Sequence, residues 1–327
     1  MPVDKPSKKR TKKRITQPER SQSRKKRSDA GTTLFKERDE LALPWIGHQY
    51  GIRLDHLQWL LGRYPGRGAA NTNWISESAA RDVITRWKRA GWVRFQRIRV
   101  HEPGWVWLTR LGMRKIGQPY TYRDLEQTSL ADLKHLYAIN EIRLHLVDDD
   151  EGTVWVSERQ LLQGVIHNKG KELLHRPDGE IYWPNGEITA VEAELSLKKP
   201  FELAENLMEL IRGEEYLRWK AEYGWQTARG TSKGDQSQYS DIWYFAPKKV
   251  RKQVRRERAR LVKRGDLSEE EAKRLFVRWY PLATDEESEQ EETEDDEAID
   301  LDQEDGDLAD IDDDEDRPLA EGEEMNH

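Results

Sequence analysis

The sequence predicts a mixed α/β (α+β) protein with two folded parts lying between charged tails. Three observations carry this. Apolar residues recur at helical spacing through residues 36–90, then give way to two short β-like runs joined by a turn. Between 154 and 247, further β-rich runs flank one long helical stretch. Charge is segregated to the ends: residues 1–28 hold 12 Lys/Arg against Asp4 and Glu19, and residues 285–327 hold 24 Asp/Glu against Arg317 alone. The 327-residue chain carries −7 in total, so the part between these ends is basic, at +6.

Both ends lack the apolar surface needed to offset chain ordering, and are expected to be disordered over 1–35 and 283–327. The first, KPSKKRTKKRITQPERSQSRKKR, reads as a phosphate-attracted arm, a plain flexible segment, or a pair of nuclear import signals. The second reads as a competitor of DNA for basic surface, or as a solubility tail. No run reaches the roughly 18 apolar residues of a membrane span, and the N-terminus lacks the apolar core of a secretory signal. With no cysteine, disulfides, iron–sulfur clusters, zinc fingers and thiol nucleophiles are excluded, and a reducing, cytoplasmic setting is expected. The eight histidines show no paired zinc spacing.

Residues 36–50 predict a helix with Leu41, Trp45 and Ile46 inward, Pro44 kinking it or shortening its start, and Gly51 ending it. LDHLQWLLGR (54–63) predicts a second, burying Leu54, Leu57, Leu60 and Leu61, before the breaker-rich loop YPGRGAANTN. A third follows Ser76 as N-cap, with Ala80, Val83, Ile84 and Trp87 as its apolar stripe and Gly91 as its stop. WVRFQRIRV (92–100) and GWVWLT (104–109) form a hairpin, with a bulge or twist where the apolar phase slips between Phe95 and Ile98. Three helices and a hairpin make a winged helix-turn-helix over 36–118. Its third helix would present Arg81, Thr85, Arg86, Lys88 and Arg89 to the major groove of duplex DNA, and Arg94, Arg97 and Arg99 would contact phosphate or the minor groove. The close WVWLTRLGMRKIG resembles the "LT..G...L" ending of winged-helix regulators.

The second part spans 119–282. Ser129 caps a linking helix, with Asp132 three residues on, whose polar Asn140, Glu141 and Arg143 read as a solvated face. VWVSERQLL (154–162) and LLHRPDGEIYW (173–183) predict strands, PNG (184–186) a turn, and EITAVEAELSL (187–197) a strand with Ile188, Ala190, Glu192 and Glu194 on one face. Pro200 opens the helix PFELAENLMELIRGEEYLRW, then SQYSDIWYFAP (237–247) is a strand and VRKQVRRERARLVKRG (250–265) a basic helix.

Strand, turn, strand, helix, strand is the order of a restriction-endonuclease-like core. Pro177-Asp178 followed by Glu192-Ala193-Glu194 resembles its PD-(D/E)XK motif. With the winged helix and HLYAINEIRLHL, residues 36–250 resemble the replication-relaxation family of bacterial plasmids and mobile elements. The resemblance implies a DNA-binding protein acting in replication or relaxation of supercoiled DNA, with Mg²⁺ or Mn²⁺ on Asp178 and Glu192 if it cleaves. It places a lysine where this chain has Glu194. Three readings of that departure stay open: Lys198 or Lys199 supplies the amine, Glu194 is a third ligand, or the centre is degenerate. In a straight strand Lys198 would lie about 13 Å beyond Glu194. The catalytic candidates are therefore Asp178, Glu192, Glu194 and Lys198. The alternatives are a non-catalytic DNA-binding transcription or copy-number regulator, and an acidic strand face paired with the basic helix 248–264. Duplex DNA is the expected partner, with replication-machinery proteins and a second copy of the chain as further candidates and no membrane.

Overall fold

In a computed structural model, which describes residues 35–63, 73–147, 152–166, 175–213 and 238–281, the fold is mixed α+β. The basic arm, most of the YPGRGAANTN loop, the stretch after Gly213 and the acidic tail lie outside those residues. Helix α1 (Glu37–His48) is closed at its start by Asp39, whose carboxylate accepts the Lys36 N–H at 2.8 Å. Its inward stripe is Asp39, Ala42, Leu43 and Ile46, with Trp45 beside it. Leu41 is 48 % exposed, contrary to the sequence expectation, because that stripe leaves it on the outer side. Pro44 neither shortens nor starts the helix. It sits inside, and Glu40, whose carbonyl loses its usual N–H partner, is exposed to water.

Strand β1 (Ile52–Arg53) follows, too short to leave a periodic signal. Helix α2 (Leu54–Arg63) buries Leu54, Leu57, Leu60 and Leu61 as expected, each worth about 1.5–3 kcal/mol. Helix α3 (Glu77–Arg89) is capped by Ser76, whose Oγ accepts the Ala79 N–H, and buries Ala80, Val83, Ile84 and Trp87. Gly91, at φ +74°, closes it, with its N–H on Lys88 and that of Trp92 on Trp87. Strands β2 (Val93–Gln96) and β3 (Trp105–Leu108) pair antiparallel, Val93 opposite Leu108, and β1 joins the other edge of β3. Pairing of β2 stops at Gln96, where the apolar phase slips, so the strand is shorter than the run 92–100.

Thr109 then caps α4 (Arg110–Lys115). Its Oγ1 accepts the Gly112 N–H and donates to the Gly91 carbonyl at 2.6 Å. A Cβ on Gly112 would sit 2.0 Å from the Trp92 carbonyl oxygen. The Thr-x-x-Gly spacing thus has a packing reason: the threonine ties α4 to the α3 exit and the glycine lets the backbones touch. Gly112→Ala should lower stability by about 1–3 kcal/mol, read as an earlier urea midpoint. An unchanged midpoint would mean that α4 simply moves away from Trp92.

Helix α5 (Leu130–Leu146), capped by Ser129, joins two cores. Leu133 packs with Trp105, Trp107 and Leu125, while Ala138, Ile139 and Ile142 pack with Trp155, Ile181, Val191, Ala193 and Phe245. The polar residues read as solvated include two that are buried: Asn140 is wholly inaccessible and Arg143 nearly so. Asn140 Nδ2 donates to the Gly51 carbonyl at 2.9 Å, and the Arg143 guanidinium lies 4.5 Å from the Trp45 ring centroid. Burial pulls Arg143 down to about 9. These residues face the helix α1–β1 corner rather than water, which periodicity cannot reveal.

The five-stranded sheet runs β4 (Val154–Ser157), β5 (Gly179–Tyr182), β6 (Ile188–Ala193), β7 (Asp241–Ala246), β8 (Leu275–Trp279), antiparallel from β4 to β6 and parallel from β6 to β8. Helix α6 (Glu158–Ile166) follows β4 directly. One face packs on α5. The other, through Ala190, Ile242 and Tyr244, packs on α7 (Pro200–Arg212) and α8 (Lys248–Lys263). Pro200 is the first residue of α7 as expected, and α7 ends at Arg212. The sequence pattern does not foretell β8 or the short α9 (Glu269–Lys273) before it. Among the described residues no helix is long and apolar enough to cross a membrane.

Candidate active site

Asp178 stands immediately before β5, and the β5–β6 register sets Gly179 opposite Val191. That brings Asp178 beside the end of β6, where its Oδ2 accepts the Ala193 N–H at 2.8 Å. Its carbonyl accepts the Glu158 N–H, which fixes the first residue of α6 at the same place. Glu192 and Glu194 are both nearly buried. The Glu194 N–H still bonds to the Phe245 carbonyl on β7, but the chain then turns. Gln253 of α8 holds the turned segment by its backbone, accepting the Lys198 N–H and donating to the Lys198 carbonyl at 2.6 Å. Lys198 Nζ thereby comes within 2.5 Å of Glu194 Oε2. The 13 Å separation of a straight strand does not arise. All four candidate residues line one cleft of about 500 Å³, together with His135, Glu158, His175 and Arg176.

Asp178 and Glu192 each have a histidine partner in the cleft, and Glu194 has a lysine. His135 Nε2 lies 2.7 Å from Asp178 Oδ1, and His175 Nε2 lies 2.9 Å from Glu192 Oε1. Burial opposes charge on His135, yet Asp178, helped by Glu192 and Glu158, raises it to about 9. His175 is raised too, Glu192 outweighing burial. Burial and then the Asp178 charge push Glu192 upward against the pull of His175, and Glu158 rises for the same two reasons. Burial tends to neutralise Lys198, but Glu194 overcomes it and keeps the amine protonated. The partners of the strand acids are thus two histidines and the turned lysine, in place of the basic helix that one sequence reading offers.

Sequence reasoning misses His135, His175, Glu158 and Arg176. All four stand in stretches singled out above, His175 three residues before Asp178 and His135 at the head of HLYAINEIRLHL, but spacing within the chain cannot bring them to the acids. The His135–Asp178 pair has a pH signature. His135 binds its proton more tightly in the folded chain, at about 9, than at the ordinary 6.5. Its contribution to stability is therefore complete below pH 6.5 and is lost as pH rises through about 9. The gap in urea midpoint between wild type and His135→Gln should narrow from pH 6 to pH 10, by only a fraction of the full shift, because the side chain is 42 % exposed and water screens the pair. A constant gap would show that His135 does not titrate there.

Among the described residues no group of three or more His, Asp or Glu is arranged to hold a metal ion. The donor set is two carboxylates, Asp178 and Glu192. Their mutual repulsion, visible in the upward push on Glu192, is what a divalent cation would relieve, and two carboxylates completed by water suit Mg²⁺. The residues fit.

On α3, Thr85, Lys88 and Arg89 are exposed. Arg81 bonds to Glu77 at 2.6 Å on the surface. Arg86 is half-buried, with its two Nη atoms 2.6 and 2.5 Å from the carboxylate of Asp39, which also accepts the Trp87 indole N–H. Its charge holds α3 to α1. In the hairpin, Arg94 bonds to Asp124 and Glu126, Arg99 bonds to Glu102, and Arg97 is exposed. A second cavity of about 290 Å³ shares His135, Glu158 and Asp178 with the cleft and continues to Gln49, Tyr50 and Arg123. A groove therefore runs from the corner after α1 to the acids. No family model, curated protein or solved structure matches the chain, and the functional reading rests on these residues.

Proposed function

We propose that the chain binds duplex DNA and nicks its phosphodiester backbone with a divalent cation, the fold being a winged helix joined to a PD-(D/E)XK-type domain. The observation that carries this is Lys198, brought beside Glu194 in the same cleft as Asp178 and Glu192, which supports reading it as the amine absent from the motif in sequence. The element order supports the fold reading. Helix, strand, helix, helix and hairpin, with β1 on β3, is the order expected of a winged helix, and an antiparallel β4–β5–β6 meander followed by a helix and parallel strands is compatible with a nuclease-type core. Work on plasmid or mobile-element DNA, in replication or relaxation, is the role the motif resemblance suggests.

Asp178 and Glu192 would hold Mg²⁺ or Mn²⁺, which when bound lowers the pKa of water and shields negative charge on phosphate. The chain's own residues do the rest. Protonated Lys198 offers N–H donors to charge developing on the phosphate. Glu194 orients Lys198, and Gln253 fixes the backbone that carries it. Lys88, Arg89 and Arg97 supply phosphate contacts that hold the duplex in register.

Incubation with supercoiled plasmid and Mg²⁺ or Mn²⁺ tests the reading. Lys198→Ala should nick roughly 10²–10³-fold more slowly while retarding DNA as wild type does. Lys88→Ala and Arg89→Ala should do the reverse, each lowering the salt slope of binding by about 1. A second reading, a non-catalytic DNA-binding regulator, is favoured by the histidines that already engage one oxygen of Asp178 and one of Glu192. Retardation by every protein with cleavage by none would establish it.

A further inference from the structure

Helix α8 carries nine Lys/Arg and one acid, Glu257, and that acid is buried. Val250, Val254 and Leu261 face the core, and Arg251 is buried with its guanidinium 4.4 Å from the Trp279 ring centroid. On the outer side Lys249, Lys252, Arg256, Arg260 and Lys263 are all exposed, Arg260 lying 3.6 Å from Glu257. They recur at i, i+3, i+7, i+11 and i+14, a cationic stripe about 21 Å long. Like charges at helical spacing repel. Lys248 and Lys249 also stand in the first turn, where no acid offsets them and the helix dipole disfavours cations. A face built this way is stabilised by a polyanion lying along it.

We propose that this face is the dock of the chain's own acidic segment, residues 285–327. Its 24 Asp/Glu against one Arg give the complementary charge. Its point of departure also fits. The Trp279 ring is the one that Arg251 covers, and the Tyr280 N–H bonds to the carbonyl of Ala246, two residues before α8 begins. Residue 285 is therefore five residues from a point beside the first turn of α8, and about six extended residues would span the stripe. A tether that short gives an effective concentration on the order of millimolar. Because Gln253 of the same helix holds Lys198, the docked segment borders the cleft. The docking needs neither DNA binding nor cleavage.

Carbodiimide crosslinking of the full chain at physiological salt, followed by peptide mass spectrometry of the monomer band, tests the dock. Carboxylates of 285–327 should join to Lys248, Lys249, Lys252 and Lys263. The triple variant Lys249→Glu, Arg256→Glu, Lys263→Glu, altered only at exposed positions, should lose the links to the remaining α8 lysines. Links chiefly to lysines of residues 1–28, or to Lys88, Lys115 and Lys134, would overturn the proposal. DNA is the competing occupant. If the tail holds the face, the triple variant should bind duplex DNA within a factor of about two of wild type, whereas loss of three phosphate contacts would weaken binding more than about tenfold and assign the face to DNA instead.

Discussion

Asp178→Ala and Glu192→Ala proteins are expected to leave supercoiled plasmid intact where the wild-type chain nicks it. The loss should be at least about 10²-fold, the scale of removing one group that stabilises developing charge. Both acids stand at the same end of the β5–β6 pair, and Glu194 is not available to replace either, being engaged by Lys198 and Ser196. Asp178 also has a structural duty, accepting the Ala193 N–H, so Asp178→Ala leaves that donor unpaired. Asp178→Asn keeps an acceptor there and separates the two roles. An asparagine protein with the wild-type urea midpoint at pH 10, where the His135 pair no longer contributes, and no nicking assigns the loss to the carboxylate charge. One that nicks at the wild-type rate would show that Asp178 holds no metal.

The largest expected loss of stability lies elsewhere, at Asp39. It is wholly buried and accepts from the Lys36 N–H, both Arg86 Nη atoms and the Trp87 indole N–H. Asp39→Ala removes the acceptor and leaves an arginine charge and an indole donor inside. Breaking a buried pair from one side costs about 3–5 kcal/mol, and the unfolding midpoint in urea should fall accordingly. Arg86→Ala should be comparably harmful, since it strands the carboxylate. A change of less than about 1 kcal/mol, the scale of an exposed pair, would mean that water reaches the α1–α3 joint. The same variants bear on DNA contact, because weaker binding by Arg86→Ala then reports a displaced α3 rather than a lost phosphate contact.

Local chemistry makes much of the chain legible from residue type and spacing alone. The stripes Leu54–Leu57–Leu60–Leu61 and Ala80–Val83–Ile84–Trp87 bury as their spacing says, because one face of a helix must be dry. Ser76, Ser129, Pro200 and Gly91 act where they stand, since caps and stops involve only neighbours within one turn. The alternation of Ala190 with Val191 along β6, one on each face of the sheet, follows from period two. Where such reading fails, the deciding partner is distant in sequence. Leu41 loses its place to Leu43 because α1 is oriented by Asp39 reaching Arg86, 47 residues on. Asn140 and Arg143 look solvated until the α1–β1 corner covers them. Strands β1 and β8 exist because β3 and β7 offer them an edge.

The acids, the basic surface and the helical frame are thus properties of the sequence itself: each depends on residue type and on spacing shorter than a helical turn or a strand pair. The cleft is a property of the tertiary structure. His135 meets Asp178 across 43 residues, and Gln253 holds Lys198 across 55. Such pairs form only after five strands have fixed which chain ends lie together, because a hydrogen bond reaches about 3 Å and the chain between the partners sets no distance until it is packed.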